Sequence, residues 1–117
     1  MNDEVKVTRG SVWFTWDDEK AISNWKKHRI TFEVASRVFL DEYAVILPDE
    51  AHSASEDRKR IIGTVRSNSR RVRVLFVVYV ERFKIEHDKT IIRIISARDA
   101  TNNEKEIYEY NIARQLS

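Results

Sequence analysis

The sequence predicts an α+β fold, a twisted and mainly antiparallel sheet packed with helices, in the order β-α-α-β-β-β-β-α. Three observations predict it. Helical spacing of apolar residues occupies residues 17–41, and dense β-branched runs occupy 44–98. A capping box, Thr101-Asn102-Asn103-Glu104, then opens one more helical segment.

The elements follow in order. Val12-Trp13-Phe14-Thr15-Trp16 is aromatic and β-branched, which suits a first strand. Asp17 supplies an N-cap, with Asp18 and Glu19 where a helix dipole favours negative charge. The helix predicted over 17–28 repeats Ala21, Trp25 and His28 at i, i+4 and i+7, with Ile22 alongside. Arg29-Ile30 breaks it, and Thr31 caps a second helix over 32–41 with Val34, Ala35, Val38 and Phe39 inward. Ala44–Leu47 is a short strand closed by the only proline, Pro48, ahead of an acidic loop. Lys59–Arg66, Val72–Arg82 and Thr90–Arg98 read as an antiparallel meander, the middle strand apolar enough to be covered on both faces. The capping box starts a last helix, about 102–115. Residues 1–11 read as a flexible N-terminal segment and 12–117 as a single domain.

Composition narrows the class. The chain has 117 residues, 42% hydrophobic and 34% charged, enough for a modest core under a charged surface. It has no cysteine, which excludes disulfides and thiolate metal sites. The N-terminus lacks a signal-peptide apolar run and no stretch is long enough to span a membrane, so the cytoplasm is the expected location. The net charge of +2 decides little, but its distribution is uneven. Arg58, Lys59, Arg60, Arg66, Arg70, Arg71 and Arg73 occupy a stretch without acids. Such a stretch fits either a phosphate backbone or a solvated strand pair.

The order of motifs resembles a known family. Phe14-Thr15-Trp16-Asp17-Asp18-Glu19-Lys20, followed by Asn24, Lys27 and His28, is similar to the opening of BrnT-type toxins, F-x-W-D-x-x-K-x-x-x-N-x-x-K-H. The likeness continues through Thr31-Phe32-Glu33-Val34-Ala35, Val38-Phe39, Asp49, Arg58 and Ile61-Ile62-Gly63. It ends with Val78-Tyr79-Val80-Glu81-Arg82, Ile92-Arg93-Ile94-Ile95-Ser96-Ala97-Arg98 and Glu104–Tyr108. The resemblance implies a RelE-like fold and metal-independent RNA cleavage that inhibits growth, with no cofactor. It also implies a BrnA-type antitoxin partner in a heterotetramer, with DNA bound only through the antitoxin. The stretch Phe83–Lys89 looks longer than that hairpin usually is, and the first ten residues are extra.

RNA is cut without metal when its 2′-hydroxyl attacks the adjacent phosphate, which needs a proton acceptor and stabilised phosphoryl charge. Arginine pairs bidentately with phosphate, so Arg82, Arg98 and Arg93 are the expected stabilisers. Arg82 and Arg98 end two neighbouring strands, which in an antiparallel pair places them apart unless the hairpin shifts the register. Arg93, between Ile92 and Ile94, must reach phosphate, solvent or a carboxylate such as Glu81 or Glu104. His28 is the expected acid–base group, because histidine alone changes charge near neutral pH; its alternative is to cap the helix end. His52 is a second acid–base candidate, and His87 reads as an exposed loop residue. Lys27, Arg58, Arg60, Tyr79 and Tyr108 are expected to contact RNA, Tyr108 by stacking or else packing on the sheet. Trp13, Trp16 and Trp25 read as core anchors, and the spread of the three histidines fits no metal-ligand spacing. The rival function is a non-catalytic nucleic-acid-binding or antitoxin-binding module using the same basic surface.

Overall fold

A computed structural model describes residues 4–48, 58–66 and 71–117. Its six strands are β1 (Val7–Arg9), β2 (Val12–Thr15), β3 (Val45–Pro48), β4 (Arg58–Arg66), β5 (Val72–Lys84) and β6 (Lys89–Asp99). Its helices are α1 (Asp18–His28), α2 (Phe32–Ser36) and α3 (Asn102–Leu116). One sheet joins the strands in the order β1-β2-β6-β5-β4-β3. Every pairing is antiparallel except β2 with β6, which runs parallel from Val12 beside Thr90 to Thr15 beside Arg93. The predicted α+β class, the element order from β2 onward and the β4-β5-β6 meander are all present.

Period-two alternation gives the sheet two unlike faces. One face carries Phe14, Ile61, Val65, Leu75, Val77, Tyr79, Ile92, Ile94 and Ala97, packed under Ile30, Phe32, Ala35 and Val38 of the helical layer. The other face carries Ile62 and Phe76, covered by Tyr108 and Ile112 of α3. That second cluster lies at the β3-β4-β5 end, so among the described residues no helix caps the face toward β2 and β6.

Local signals explain the helix ends. The Asp17 side chain accepts from the Lys20 amide, and Arg29 at φ 57° ends α1 with its N–H on the Trp25 carbonyl. Thr31 caps α2, but the helix stops at Ser36 and continues as a 3-10 turn, Arg37–Leu40, where the prediction runs one helix to residue 41. Both halves of the Thr101–Glu104 capping box form.

Three expectations change. Residues 7–9 of the segment read as flexible form an edge strand, and Arg9 donates to Ser36 Oγ at 3.2 Å while Lys6 pairs with Asp18 at 2.9 Å. On α1 the buried residue is Asn24, whereas Ile22 and Trp25 are 56% and 43% exposed. The reason is the sheet edge. Beyond β2, no described strand pairs with that edge of β6, and Asn24 supplies the missing partner: its Oδ1 accepts from the Ala97 N–H and its Nδ2 donates to the Ile30 carbonyl, both at 3.1 Å. Trp25 is therefore no core anchor; it lies under the Arg29 guanidinium at 5.4 Å. Trp16 does pack into the core, edge-on to Phe32, and Trp13 meets the exposed His87 across 5.3 Å.

Candidate active site

The bare half of the sheet holds a cleft of about 260 Å³ lined by Thr15, Lys20, Arg58, Val80, Arg82, Ile91, Arg93 and Ile95. Strand register assembles it. Val80 lies between Arg58 on β4 and Arg93 on β6, and Arg82 is two residues further along the same face of β5. Strand spacing puts the Arg58 and Arg93 backbones about 10 Å apart, with Arg82 about 7 Å from Val80. Long guanidinium arms from these positions converge over an apolar floor of Val80, Ile91 and Ile95. Among the described residues, every ionisable side chain lining the cleft is a cation.

A bulge decides which arginines share this face. Val78 pairs with Ser96 but Tyr79 pairs with Ile94, leaving Ile95 extra on β6. Strict alternation would put Arg93 and Arg98, five residues apart, on opposite faces; the bulge brings both to the same one. They do not meet the same partner, however. Arg98 lies 4.1 Å above the Phe76 ring and is bound bidentately by Glu104 at 2.8 and 3.0 Å. Burial alone would raise the Glu104 carboxyl, but hydrogen bonds from Arg98 and the Thr101 amide outweigh it and hold the carboxyl below its ordinary value. From Phe76, opposite Arg98, β5 runs six residues to Arg82, about 20 Å. A single clamp made of Arg82 and Arg98 is therefore not formed. Arg93 joins Arg82 instead, half-buried, without a side-chain hydrogen bond or ion pair among the described residues; the ion pair weighed for it with Glu104 goes to Arg98.

The α1 wall extends the cleft. Lys20, Ser23, Asn24, Lys27 and His28 border a neighbouring hollow with Ile95 and Ser96, and the two hollows share Lys20 and Ile95. The spacing 20, 24, 27 and 28 follows one helix face, and Asn24 pins that face to β6. His28 and Lys27 are exposed there, in the last turn. Arg60 sits further along the open face, its guanidinium 5.8 Å from the Phe76 ring.

Tyr79 does not reach the cleft, and for Tyr108 the packing alternative is the one the structure shows. Tyr79 is 0% exposed on the opposite, core face, its ring edge-on to Phe39 at 4.9 Å. Tyr108 is buried too, and its hydroxyl donates to Asp41 Oδ2 at 2.6 Å. Asp41 also accepts from the Thr64 amide and hydroxyl and from the Tyr43 amide, so this tyrosine ties α3 to the sheet rather than offering a base platform. His52 and Arg70 lie outside the described residues.

The residues that the sequence reading left out are Lys20 and Thr15. Lys20 was legible as the lysine one turn before Asn24 on the polar face of α1. Thr15 is 1% exposed, and its hydroxyl has no hydrogen-bond partner among the described residues. Among the described residues no group of three His, Asp or Glu side chains has metal-ligand geometry. No helix there is long and apolar enough to cross a membrane. A family model described as the ribonuclease toxin BrnT of type II toxin–antitoxin systems matches residues 16–104, well over half of the chain. No curated protein matches it.

Proposed function

The chain belongs to the BrnT family of ribonuclease toxins of type II toxin–antitoxin systems, and we propose that its cationic cleft cuts RNA without a metal ion. The observation that carries this reading is the convergence of Arg58, Arg82 and Arg93 with Lys20 over one apolar floor. Cations already in place do what a metal would do for a phosphate: they offset charge that grows on the phosphoryl oxygens. In the proposed step the 2′-oxygen gives up its proton and bonds to phosphorus, and the bond from phosphorus to the 5′-oxygen breaks. The 5′-oxygen takes a proton, leaving a 2′,3′-cyclic phosphate and a 5′-hydroxyl. Arg82 and Arg93 hold the phosphoryl oxygens, and His28, in the adjoining hollow, moves the proton. Lys27, Arg58 and Arg60 track the flanking backbone. Arg98 serves the fold through Glu104 and borders the track.

The family carries an antitoxin partner with it. We infer a BrnA-like antitoxin that covers the cationic face with an acidic segment, in a heterotetramer that reaches DNA only through the antitoxin. The cytoplasm is the proposed location.

Incubating the purified protein with a defined RNA in EDTA tests the mechanism. Cleavage to cyclic-phosphate ends is expected, and the double variant Arg82→Ala with Arg93→Ala should lose about 10³-fold or more in rate at unchanged thermal stability. Undiminished cleavage by that variant refutes the clamp. Cleavage abolished by EDTA refutes metal independence, and RNA binding without cleavage favours the binding module.

A further inference from the structure

The buried hydroxyl of Thr15 has no hydrogen-bond partner among the described residues. A buried hydroxyl without a partner is costly, and a valine of the same shape would avoid that cost. Thr15 nevertheless ends β2 beside Arg93 and lines the arginine cleft. Its side chain is held in place by the parallel pairing of β2 with β6, so it is a fixed group among long flexible ones.

We propose that Thr15 is a binding residue of the cleft, its hydroxyl donating to a non-bridging phosphoryl oxygen of the bound nucleic acid strand. The chemistry of the surroundings selects that ligand. The ionisable side chains that line the cleft with it among the described residues, Lys20, Arg58, Arg82 and Arg93, carry only donors. A group that enters among them to meet Thr15 must therefore bring acceptors and negative charge. Lys20 is exposed and Arg93 half-buried, and the assignment requires these long side chains to turn toward the incoming phosphate and uncover the buried hydroxyl. The phosphate then has cations on its outer side and one neutral, rigidly placed donor on its inner side, which fixes its depth. Thr15 lies just before the span that the family model matches.

The inference rests on the cleft being the RNA site, and the test separates the two. Binding is measured by fluorescence anisotropy with a 2′-O-methyl RNA oligonucleotide and with DNA of the same sequence, neither of which offers a 2′-hydroxyl. Thr15→Val is expected to bind both about tenfold more weakly than the parent, and to melt no lower. Thr15→Ser, which keeps the hydroxyl, should bind within about twofold of the parent. A hydroxyl that served only the fold would give the opposite signs, a lower melting temperature and unchanged binding, and that result overturns the proposal. Unchanged binding of both probes with a raised KM on cleavable RNA overturns the phosphoryl assignment in favour of the 2′-hydroxyl. If the parent protein binds neither probe, the cleft reading itself fails, and the role of Thr15 fails with it.

Discussion

The two faces of the sheet are built from the same strands and obey opposite rules. On the face under α1 and α2, thirteen buried residues form one apolar cluster without a charged side chain. On the other face α3 covers only the β3-β4-β5 end, and the remainder presents Arg58, Arg82 and Arg93 around Val80. Neighbours in sequence fall on opposite sides of this division: Tyr79 is core, and Val80 is the floor of the cleft. The apolar cluster of the covered face supplies the larger share of the buried apolar area, and with it the stability. The apolar core and the cationic cleft are thus separated by strand parity, and substitutions should separate with them.

Tyr79→Ala should give the largest effect. It empties a fully buried position beside Phe39 and should cost about 3–5 kcal/mol, measured by urea denaturation. Tyr79→Phe keeps the ring and should keep RNA binding. A Tyr79→Phe variant of full stability and weakened RNA affinity would move this residue back to the nucleic-acid surface and break the comparison.

Tyr79 also shows how far the sequence could be read. The strands β4, β5 and β6 were legible because β-branched runs between turn residues leave little choice of element, and the capping box marked the start of α3 to the residue. Which face each residue takes was not legible for β6. A bulge at Ile95 inverts the parity of everything after it, and no residue there announces it. The pairing of β2 with β6 was equally hidden, since it joins residues 78 apart and satisfies backbone groups that carry no side-chain signature. On α1 the apolar spacing pointed to Trp25, but the unpaired edge of β6 needed a hydrogen-bonding side chain, and Asn24 won. Arginine-rich strands marked the cationic site in outline. The partnership of Arg93 with Arg82, rather than Arg98 with Arg82, depended on register.

Asn24→Ala sharpens the comparison at the seam between the faces. It leaves the Ala97 N–H and the Ile30 carbonyl without their partner and should cost about 2 kcal/mol. The same change frees the α1 wall that carries Lys20, Lys27 and His28, so cleavage should fall as well. A variant that loses stability but cleaves RNA at the parent rate under native conditions would show that the α1 wall takes no part in the chemistry.

The smallest effect concerns how α3 is held over its half of the open face. Tyr108→Phe removes one of the donors to Asp41 and should cost about 1 kcal/mol at pH 7, with RNA affinity unchanged. Burial raises the Asp41 carboxyl, but the donors from Tyr108, Thr64 and Tyr43 outweigh it and keep the carboxyl below its ordinary value. The same contact acts on the tyrosine in the other direction. Burial, reinforced by the hydrogen bond to Asp41, pushes the Tyr108 hydroxyl up to about 12. Because its folded value lies above the unfolded one near 10, the contribution of Tyr108 is fully present below about pH 10 and is lost as the pH rises toward 12. The stability difference between the parent and Tyr108→Phe should therefore hold steady from pH 7 to about pH 10 and then shrink. A difference that shrinks already between pH 7 and pH 9 would mean that the hydroxyl is not held by Asp41, and that α3 is anchored chiefly by Arg98 and Glu104.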